Sequence, residues 1–234
     1  MQLSFSIRLS VLLFFAFIVA TIVGTVSHES GHYLMAKALG YNARIYYDYT
    51  TWDDPKSADF IDSVNSKYRE QILEGQDFPG KEKYNQIIEK HSEDDFWIGL
   101  GGPLQTMLTG TIGLLLLFLY RKSFYSREQL TFRQWVLVFV SLFWLRQTAN
   151  FFALIGSYVI NGKLSVCSDE IRLEQSLQLP GLTISALTGI IGAVILTIVI
   201  FKFIPAMQRM TFILSGITGG MTGYFLWLVL PARI

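Results

Sequence analysis

Cysteine, charged residues and glycosylation signals are all scarce in this chain of 234 residues. A single cysteine, Cys167, excludes an intrachain disulfide. Charged residues make up only 16% of the sequence and the formal net charge is +1, which gives no sign of nucleic acid as a partner. No Asn-x-Ser/Thr acceptor for glycosylation occurs, and this absence favours a bacterial origin.

Long apolar runs dominate what is present, with 51% of residues hydrophobic and a mean hydropathy of +0.39. A soluble domain of this size could not bury so much apolar surface. Five runs are long enough to cross an apolar layer about 30 Å thick, which takes roughly 20 helical residues. They cover residues 8–28, 98–119, 134–156, 183–204 and 210–230. The sequence therefore predicts an all-α polytopic protein of a bacterial cell membrane, with five transmembrane helices in the lipid bilayer.

The residues around the first apolar run and the charges of the loops indicate how the chain crosses the membrane. Arg8 precedes the first run as in a secretory signal peptide, but no small-x-small cleavage site follows, so we expect a retained span. Lysine and arginine in short loops mark the cytoplasmic side. The loop 120–133 carries four basic residues against one acidic residue. We therefore expect the N-terminus and this loop inside, and residues 41–97 outside.

Residues 41–97 are polar, with 13 acidic and 7 basic residues. Within them, residues 44–52 are rich in tyrosine and threonine and predict a strand. Apolar residues four apart between 60 and 72 predict one amphipathic helix, and residues 84–88 predict a second short one. The resulting division is a first transmembrane helix (1–40), a small extramembrane cap (41–97) and a four-helix membrane domain (98–234).

The motif His28-Glu29-Ser30-Gly31-His32 lies at the polar end of the first run. On a helix, histidines four residues apart point about 40° from each other and can bind one zinc ion together. Glu29 then lies beside the metal, where it can take a proton from a zinc-bound water molecule. Ionisable groups at membrane depth are costly and usually functional, so the pattern predicts a zinc site rather than headgroup contacts.

Catalytic zinc takes three protein ligands and keeps one position open, so a third ligand is required. It must reach the same side of the membrane as the histidines, where the connection 157–182 is predicted to lie. That connection offers Asp169, Glu170 and Cys167, and the cap offers His91. Alternatively, Asp169 only caps the short helix that follows it.

Two polar residues of the third span, Arg146 and Asn150, are four apart and share a helix face at the same predicted depth. Asn150 could donate a hydrogen bond to an oxyanion, and Arg146 could hold Asp169 or Glu170 in place. The alternatives are snorkelling of Arg146 to an interface and helix-to-helix bonding by Asn150.

The motif in its setting resembles the site-2 protease family of membrane-embedded zinc metalloproteases. The matching residues are His28, Glu29, Gly31 and His32, followed by Gly101-Gly102-Pro103-Leu104 at the second span. The resemblance implies that the two histidines and a later aspartate bind zinc and that Glu29 is the general base. It also implies that the substrate is a membrane protein or peptide cut in or near a transmembrane segment.

The sequence departs from this family at two places. Thr106 stands where many members of the family have asparagine in a G-P-x-x-N stretch. The N-x-x-P-x-x-x-L-D-G stretch that usually supplies the third ligand is absent. The Ser-Asp-Glu sequence before a leucine-rich helix resembles compact members, and this resemblance favours Asp169 as the ligand.

The sequence therefore predicts a zinc-dependent endopeptidase of membrane proteins, with Glu29 as the base. Two alternatives belong to other classes of protein. A catalytically silent membrane chaperone or binding protein would have no need of Glu29. A metal or ion transporter would spread polar groups through several span centres, whereas here they gather near one end.

Overall fold

The computed structural model describes residues 5–125, 128–162 and 168–231. Helices make up most of it, as the sequence predicts. They are α1 (Ile7–Ala38), α2 (Ala58–Lys67), α3 (Arg69–Leu73), α4 (Lys81–Leu119), α5 (Lys122–Tyr125), α6 (Phe132–Ser141), α7 (Leu145–Asn161), α8 (Asp169–Ser176), α9 (Thr183–Ile198) and α10 (Ala206–Tyr224). Two short strands, β1 (Asn42–Ile45) and β2 (Thr50–Asp53), follow α1.

Within the described residues, five helical stretches are long and apolar enough to cross a membrane, which confirms the predicted number. They are Ile7–Ala38, Lys81–Leu119, Phe132–Asn161, Thr183–Phe203 and Ala206–Val229. A 3₁₀ turn at Leu142–Trp144 joins α6 to α7 in the third stretch, and π-helical turns extend α9 and α10. Their outer faces expose large apolar side chains such as Phe15, Leu115 and Leu187. Length, composition and surface are compatible with a multi-pass membrane protein.

Helix α1 continues well beyond its apolar run. Ser6 caps its start, where the side-chain oxygen accepts a hydrogen bond from the Leu9 amide. Residues 7–38 contain no proline, so nothing interrupts the helix before Leu39 and Gly40. His28 and His32 therefore lie inside a continuous helix, one turn apart, as their spacing requires.

Helix α4 begins earlier than the sequence indicated. Residues 81–97 contain no glycine or proline, and the helix runs from Lys81 through the membrane-length stretch without a break. The separate short helix predicted at 84–88 is therefore wrong, because those residues belong to α4. Gly101, Gly102 and Pro103, near the start of the apolar run, lie in the middle of this helix and do not end it.

The predicted strand 44–52 is in fact a hairpin. β1 and β2 pair antiparallel with Ala43 opposite Trp52, and Tyr46 donates its amide to Tyr49 O at 2.8 Å across the turn. Asp48 lies in this turn, where aspartate is favoured. The helix predicted between 60 and 72 is also divided, because the chain leaves helical geometry at Tyr68 between α2 and α3.

Helices approach each other closely at crossings where glycine residues lie. The backbones of Gly31 in α1 and Gly101 in α4 touch, so that a Cβ atom on Gly101 would lie 2.5 Å from Gly31 O. A second contact, between Gly113 of α4 and the Ser141 backbone, brings in the third span. The main apolar core, which includes Phe17, Leu117 and Phe203, lies toward the opposite end of the helices from the histidine motif.

Candidate metal centre

Three ligand atoms from two helices meet at one point. His28 Nε2 lies 2.9 Å from Asp169 Oδ2, His32 Nε2 lies 3.5 Å from the same oxygen, and the two Nε2 atoms are 3.3 Å apart. The histidines come from α1, and Asp169 is the first residue of α8. The structure thus brings together the three residues predicted as the zinc ligands.

The size of this triangle fits a metal ion. Zinc binds histidine nitrogen and carboxylate oxygen at about 2.1 Å, so two ligands at a tetrahedral angle lie roughly 3.4 Å apart. The observed separations of 2.9, 3.3 and 3.5 Å bracket that value. The donor set of two imidazoles and one carboxylate is also one that catalytic zinc uses.

The outer nitrogens of both imidazoles have partners that fix the ring orientation. His32 Nδ1 lies 2.7 Å from Ile98 O, which can only accept, so this nitrogen carries a proton. His28 Nδ1 lies 2.9 Å from Thr106 Oγ1, and that hydroxyl donates its own hydrogen to Gly102 O at 3.0 Å. The hydroxyl therefore accepts from His28. Both rings can then direct the Nε2 lone pair at the triangle, as metal ligands require.

Gly102 leaves the space between the two imidazoles open. A Cβ atom at this position would lie 2.6 Å from His28 Nε2 and even closer to His32 Nε2. Any other residue would therefore place a carbon atom among the ligand atoms. Glycine is required here for close approach, and the space it leaves adjoins both Nε2 atoms.

Glu29 also lies at this point. Its ligand oxygen and the nitrogens of His28 and His32 all lie within 4.8 Å of one another, so these three residues form a group that could hold a metal ion. Asp169 makes closer contacts with both imidazoles and is the better third ligand. Glu29 is buried, with 6% of its surface exposed, and lines the adjoining cavity.

A polar cavity of about 320 Å³ adjoins the centre. Glu29, His32 and Asp169 lie on its inner wall, and Asp48 and Trp52 of the hairpin lie on the other side. The hairpin is fixed to the centre because Thr50 donates its hydroxyl to Glu29 O at 3.0 Å. The cavity leaves room for water beside the atoms of the triangle.

Asp169 is held ionised despite its surroundings. Burial raises its pKa, but when Nε2 of His28 or His32 carries a proton, the hydrogen bond to Asp169 outweighs that effect and holds the pKa of the carboxyl well below its ordinary value. A metal ion would take the place of that proton. An ionised carboxylate is the form that binds a metal.

The other candidates for the third ligand lie elsewhere or cannot be placed. Glu170 Oε1 accepts from Asn150 Nδ2 at 3.1 Å, and its Oε2 accepts from Ser168 Oγ at 2.9 Å. His91 lies 3.1 Å from Asp54 Oδ2 and 3.2 Å from Ser57 Oγ. Cys167 lies outside the described residues.

Arg146 lies between two cavities. It borders the polar cavity beside Asp169, and it also borders an apolar cavity of similar volume, about 320 Å³, between α1, α7 and α10. Its Nε atom is buried and has no hydrogen-bond partner in the described part of the chain. Glu29, Asp169 and Glu170 interact with it electrostatically. Among the described residues, however, it forms no direct ion pair with any of these carboxylates.

Two further residues support the centre in ways that the sequence did not indicate. Thr106, a weaker candidate for the site from its place on the second span, has a specific role because its hydroxyl is the partner of His28. Glu174 was not considered, although it is 1% exposed and binds the start of α9. The spacing of Glu174 could have indicated a buried role, because it shares a helix face with Glu170, four residues earlier.

Comparison with protein-family models, with curated proteins and with solved structures finds no match to this chain.

Proposed function

We propose that this chain is a membrane-embedded zinc endopeptidase of the site-2 protease type, which cleaves membrane proteins in or near their transmembrane segments. The observation that carries the proposal is the triangle of His28 Nε2, His32 Nε2 and Asp169 Oδ2, with sides of 2.9 to 3.5 Å. Its position inside a bundle of five membrane-length helices supports a substrate in the membrane.

His28, His32 and Asp169 would hold the ion and leave one coordination position open toward the polar cavity. When bound, zinc would lower the pKa of a water molecule to about 7 and polarise the carbonyl of the scissile bond. Hard oxygen-binding cations fit less well, because two of the three donors are imidazoles.

Glu29 has the position of a general base. It follows the first histidine directly, lines the polar cavity and makes none of the close ligand contacts of Asp169. Its carboxylate would take a proton from the attacking water and pass that proton to the nitrogen of the leaving amine. The peptide C–N bond breaks in the same step, so the protons of the water are shared between the two products.

Arg146 is better placed than Asn150 to stabilise the negative charge that develops on the carbonyl oxygen. The amide of Asn150 already donates to Glu170, which supports a role in holding α8. Arg146 borders the cavity beside Asp169 and has a buried Nε–H without a partner. A cationic donor in a site that excludes water is effective for this purpose.

The hairpin offers a way to hold the substrate in extended form. β2 lies directly over the motif through the bond from Thr50 to Glu29 O, and its outer edge has no strand partner among the described residues. An unwound substrate segment could pair with this edge. The amide of Trp52 faces this free edge, whereas that of Thr51 faces β1. A Trp52→Pro substitution would then stop cleavage while Trp52→Ala, which keeps the amide, controls for loss of the side chain, and unchanged cleavage in Trp52→Pro would refute the pairing.

The test of the function is Glu29→Gln in purified protein reconstituted into lipid vesicles with single-span membrane proteins. We expect zinc content to stay at one ion per chain while cleavage falls by at least about 100-fold, the lower end of the range for loss of a general base. The exposed Glu89, also changed to glutamine, is the matched control and should cleave normally.

Two outcomes would contradict the proposal. Cleavage that persists in Glu29→Gln would remove Glu29 as the base. Zinc binding by the natural protein without any cleavage would favour the chaperone or the transporter.

A further inference from the structure

Asp169 depends on a short helix for its position. It is the first residue of α8, which has only eight residues, and isolated helices of that length are not stable in water. The contacts that fix α8 against the membrane-length helices therefore decide where Asp169 Oδ2 lies. Two buried carboxylates of the same helix make those contacts.

Glu174 makes the more extensive set of bonds. Its Oε2 accepts from the Leu182 amide at 2.7 Å, and its Oε1 accepts from the Ile184 and Ser185 amides at 2.8 and 3.0 Å. The Ser185 hydroxyl adds a fourth bond, to Oε1 at 3.2 Å. The side chain is 1% exposed, so water does not compete for these donors.

The start of α9 needs this carboxylate. The first amides of a helix have no partner within the helix, and they attract negative charge. Leu182 occupies the N-cap position and has no side-chain acceptor. Its φ of +72° is also unusual for leucine. Glu174 supplies from α8 the cap that the sequence of α9 lacks.

Glu170 fixes the other side of α8. It is also 1% exposed, and it joins α8 to α7 through the bond from Asn150. Because residues 170 and 174 lie one turn apart, the helix is held between the third and fourth membrane-length stretches.

We propose that Glu174 is a positioning residue of the metal centre, which sets Asp169 against His28 and His32 by fixing α8 to the start of α9. This inference rests on the metal centre of the proposed function. It makes the affinity for the ion depend on a carboxylate that touches neither the ion nor its ligands. Substitution of groups that orient metal ligands typically lowers affinity 10- to 100-fold.

The experiment uses the full chain in detergent with Co²⁺ as a spectroscopic substitute for zinc. Glu174→Gln keeps the shape of the side chain but turns an amide group toward backbone donors, so at least one bond is lost. We expect 10- to 100-fold weaker Co²⁺ binding and a visible spectrum that shifts toward that of Asp169→Ala. Glu174→Asp, which keeps the charge, should recover part of the affinity.

The exposed Gln175 on the same helix, changed to alanine, is the control for general effects on α8. Ser185→Ala removes only the fourth bond and should give a smaller loss of affinity in a protein that folds normally. Glu174→Gln with the natural affinity and spectrum would overturn the inference and leave the metal centre intact. Glu174→Gln that binds weakly while Asp169 still ligates, with an unshifted spectrum, would also overturn it. A natural protein that binds no Co²⁺ would instead refute the proposed function.

Discussion

Gly102 of α4 lies directly against the imidazole of His28, where a Cβ atom would come within 2.6 Å of Nε2. Helix α4 also contributes the backbone carbonyl of Ile98 and the hydroxyl of Thr106, which bond to His32 and His28 of α1. The ligand geometry is therefore a property of the α1 and α4 pair, completed by α8.

Gly102→Ala is expected to abolish metal binding while the helices remain folded. The added methyl group would lie among the ligand atoms, and both imidazoles would have to move. Zinc analysis of the purified variant tests this. Gly99→Ala on the same helix is the control, because a Cβ atom there meets nothing within 4 Å. Full zinc content in Gly102→Ala would show that the space is not the metal site.

Gly31→Ala should act on stability more than on chemistry. Its Cβ atom would overlap the Gly101 carbonyl and lie 2.8 Å from Gln105 Cβ, so α1 and α4 would separate. Overpacking of this kind costs about 1–3 kcal/mol. Thermal unfolding in detergent measures the loss. Gly24→Ala, in open space on the same helix, should unfold at or above the natural temperature.

Thr106→Val should weaken zinc binding about 10- to 100-fold by removing the acceptor of the His28 Nδ1–H bond. Valine has nearly the same shape, so packing is preserved. Competition with a chelator gives the affinity. Thr106→Ser keeps the hydroxyl and should bind nearly as well as the natural protein, whereas equal losses in both variants would point to packing.

Asp169→Ala and Glu170→Ala should differ in zinc content. The first removes a ligand atom 2.9 Å from His28 Nε2, so we expect less than stoichiometric zinc. The second removes the partner of Asn150 and should retain zinc with weaker affinity. The reverse order would make Glu170 the ligand.

The contact between Asp54 and His91 should make the stability of residues 41–97 depend on pH in the acid range. Bonding from Ser57 and His91 lowers the pKa of Asp54 to about 2, although burial opposes the shift. Because the folded pKa lies below the unfolded value, the stabilisation is complete above about pH 4 and is lost as the pH falls through 2. Asp54 is partly exposed, so the effect is about 1 kcal/mol or less.

Asp54→Asn should therefore unfold more easily than the natural protein at pH 6 and equally easily near pH 2. Hydrogen exchange of the amides in α2 is the measurement. The exposed Asp59, changed to asparagine, provides the comparison. A difference that persists at pH 2 would show that the charge of Asp54 is not the cause.

Hydropathy was sufficient for the number of membrane-length helices, because each run of about 20 apolar residues has a single stable conformation in lipid. The shared helix face of His28 and His32 followed from helical periodicity alone. The position of Asp169, rather than Glu170, beside the two imidazoles could not follow in this way. It depends on the rotation of α8, which the Glu174 bond to α9 fixes over a distance of about ten residues.

The start of α4 and the presence of the hairpin also could not be predicted from the sequence. Hydropathy changes sharply near residue 96 whereas the helix continues through that point, so an apolar pattern alone divides a continuous helix in two. The reversal at Tyr46–Tyr49 contains neither glycine nor proline, and Asp48 alone among three tyrosines is too weak a turn signal to divide the predicted strand.

The continuity of α4 has a mechanical consequence. With 39 residues at 1.5 Å each, the helix is about 58 Å long, nearly twice the thickness of an apolar layer of about 30 Å. Its N-terminal half bears the hairpin through the bonds of Asp94 to Tyr41 and Asp95 to Trp52. Its middle bears the groups that orient both histidines. A force that tilts the N-terminal half, such as the docking of another protein, would therefore reach the imidazoles through one continuous helix, without an intervening loop to absorb it.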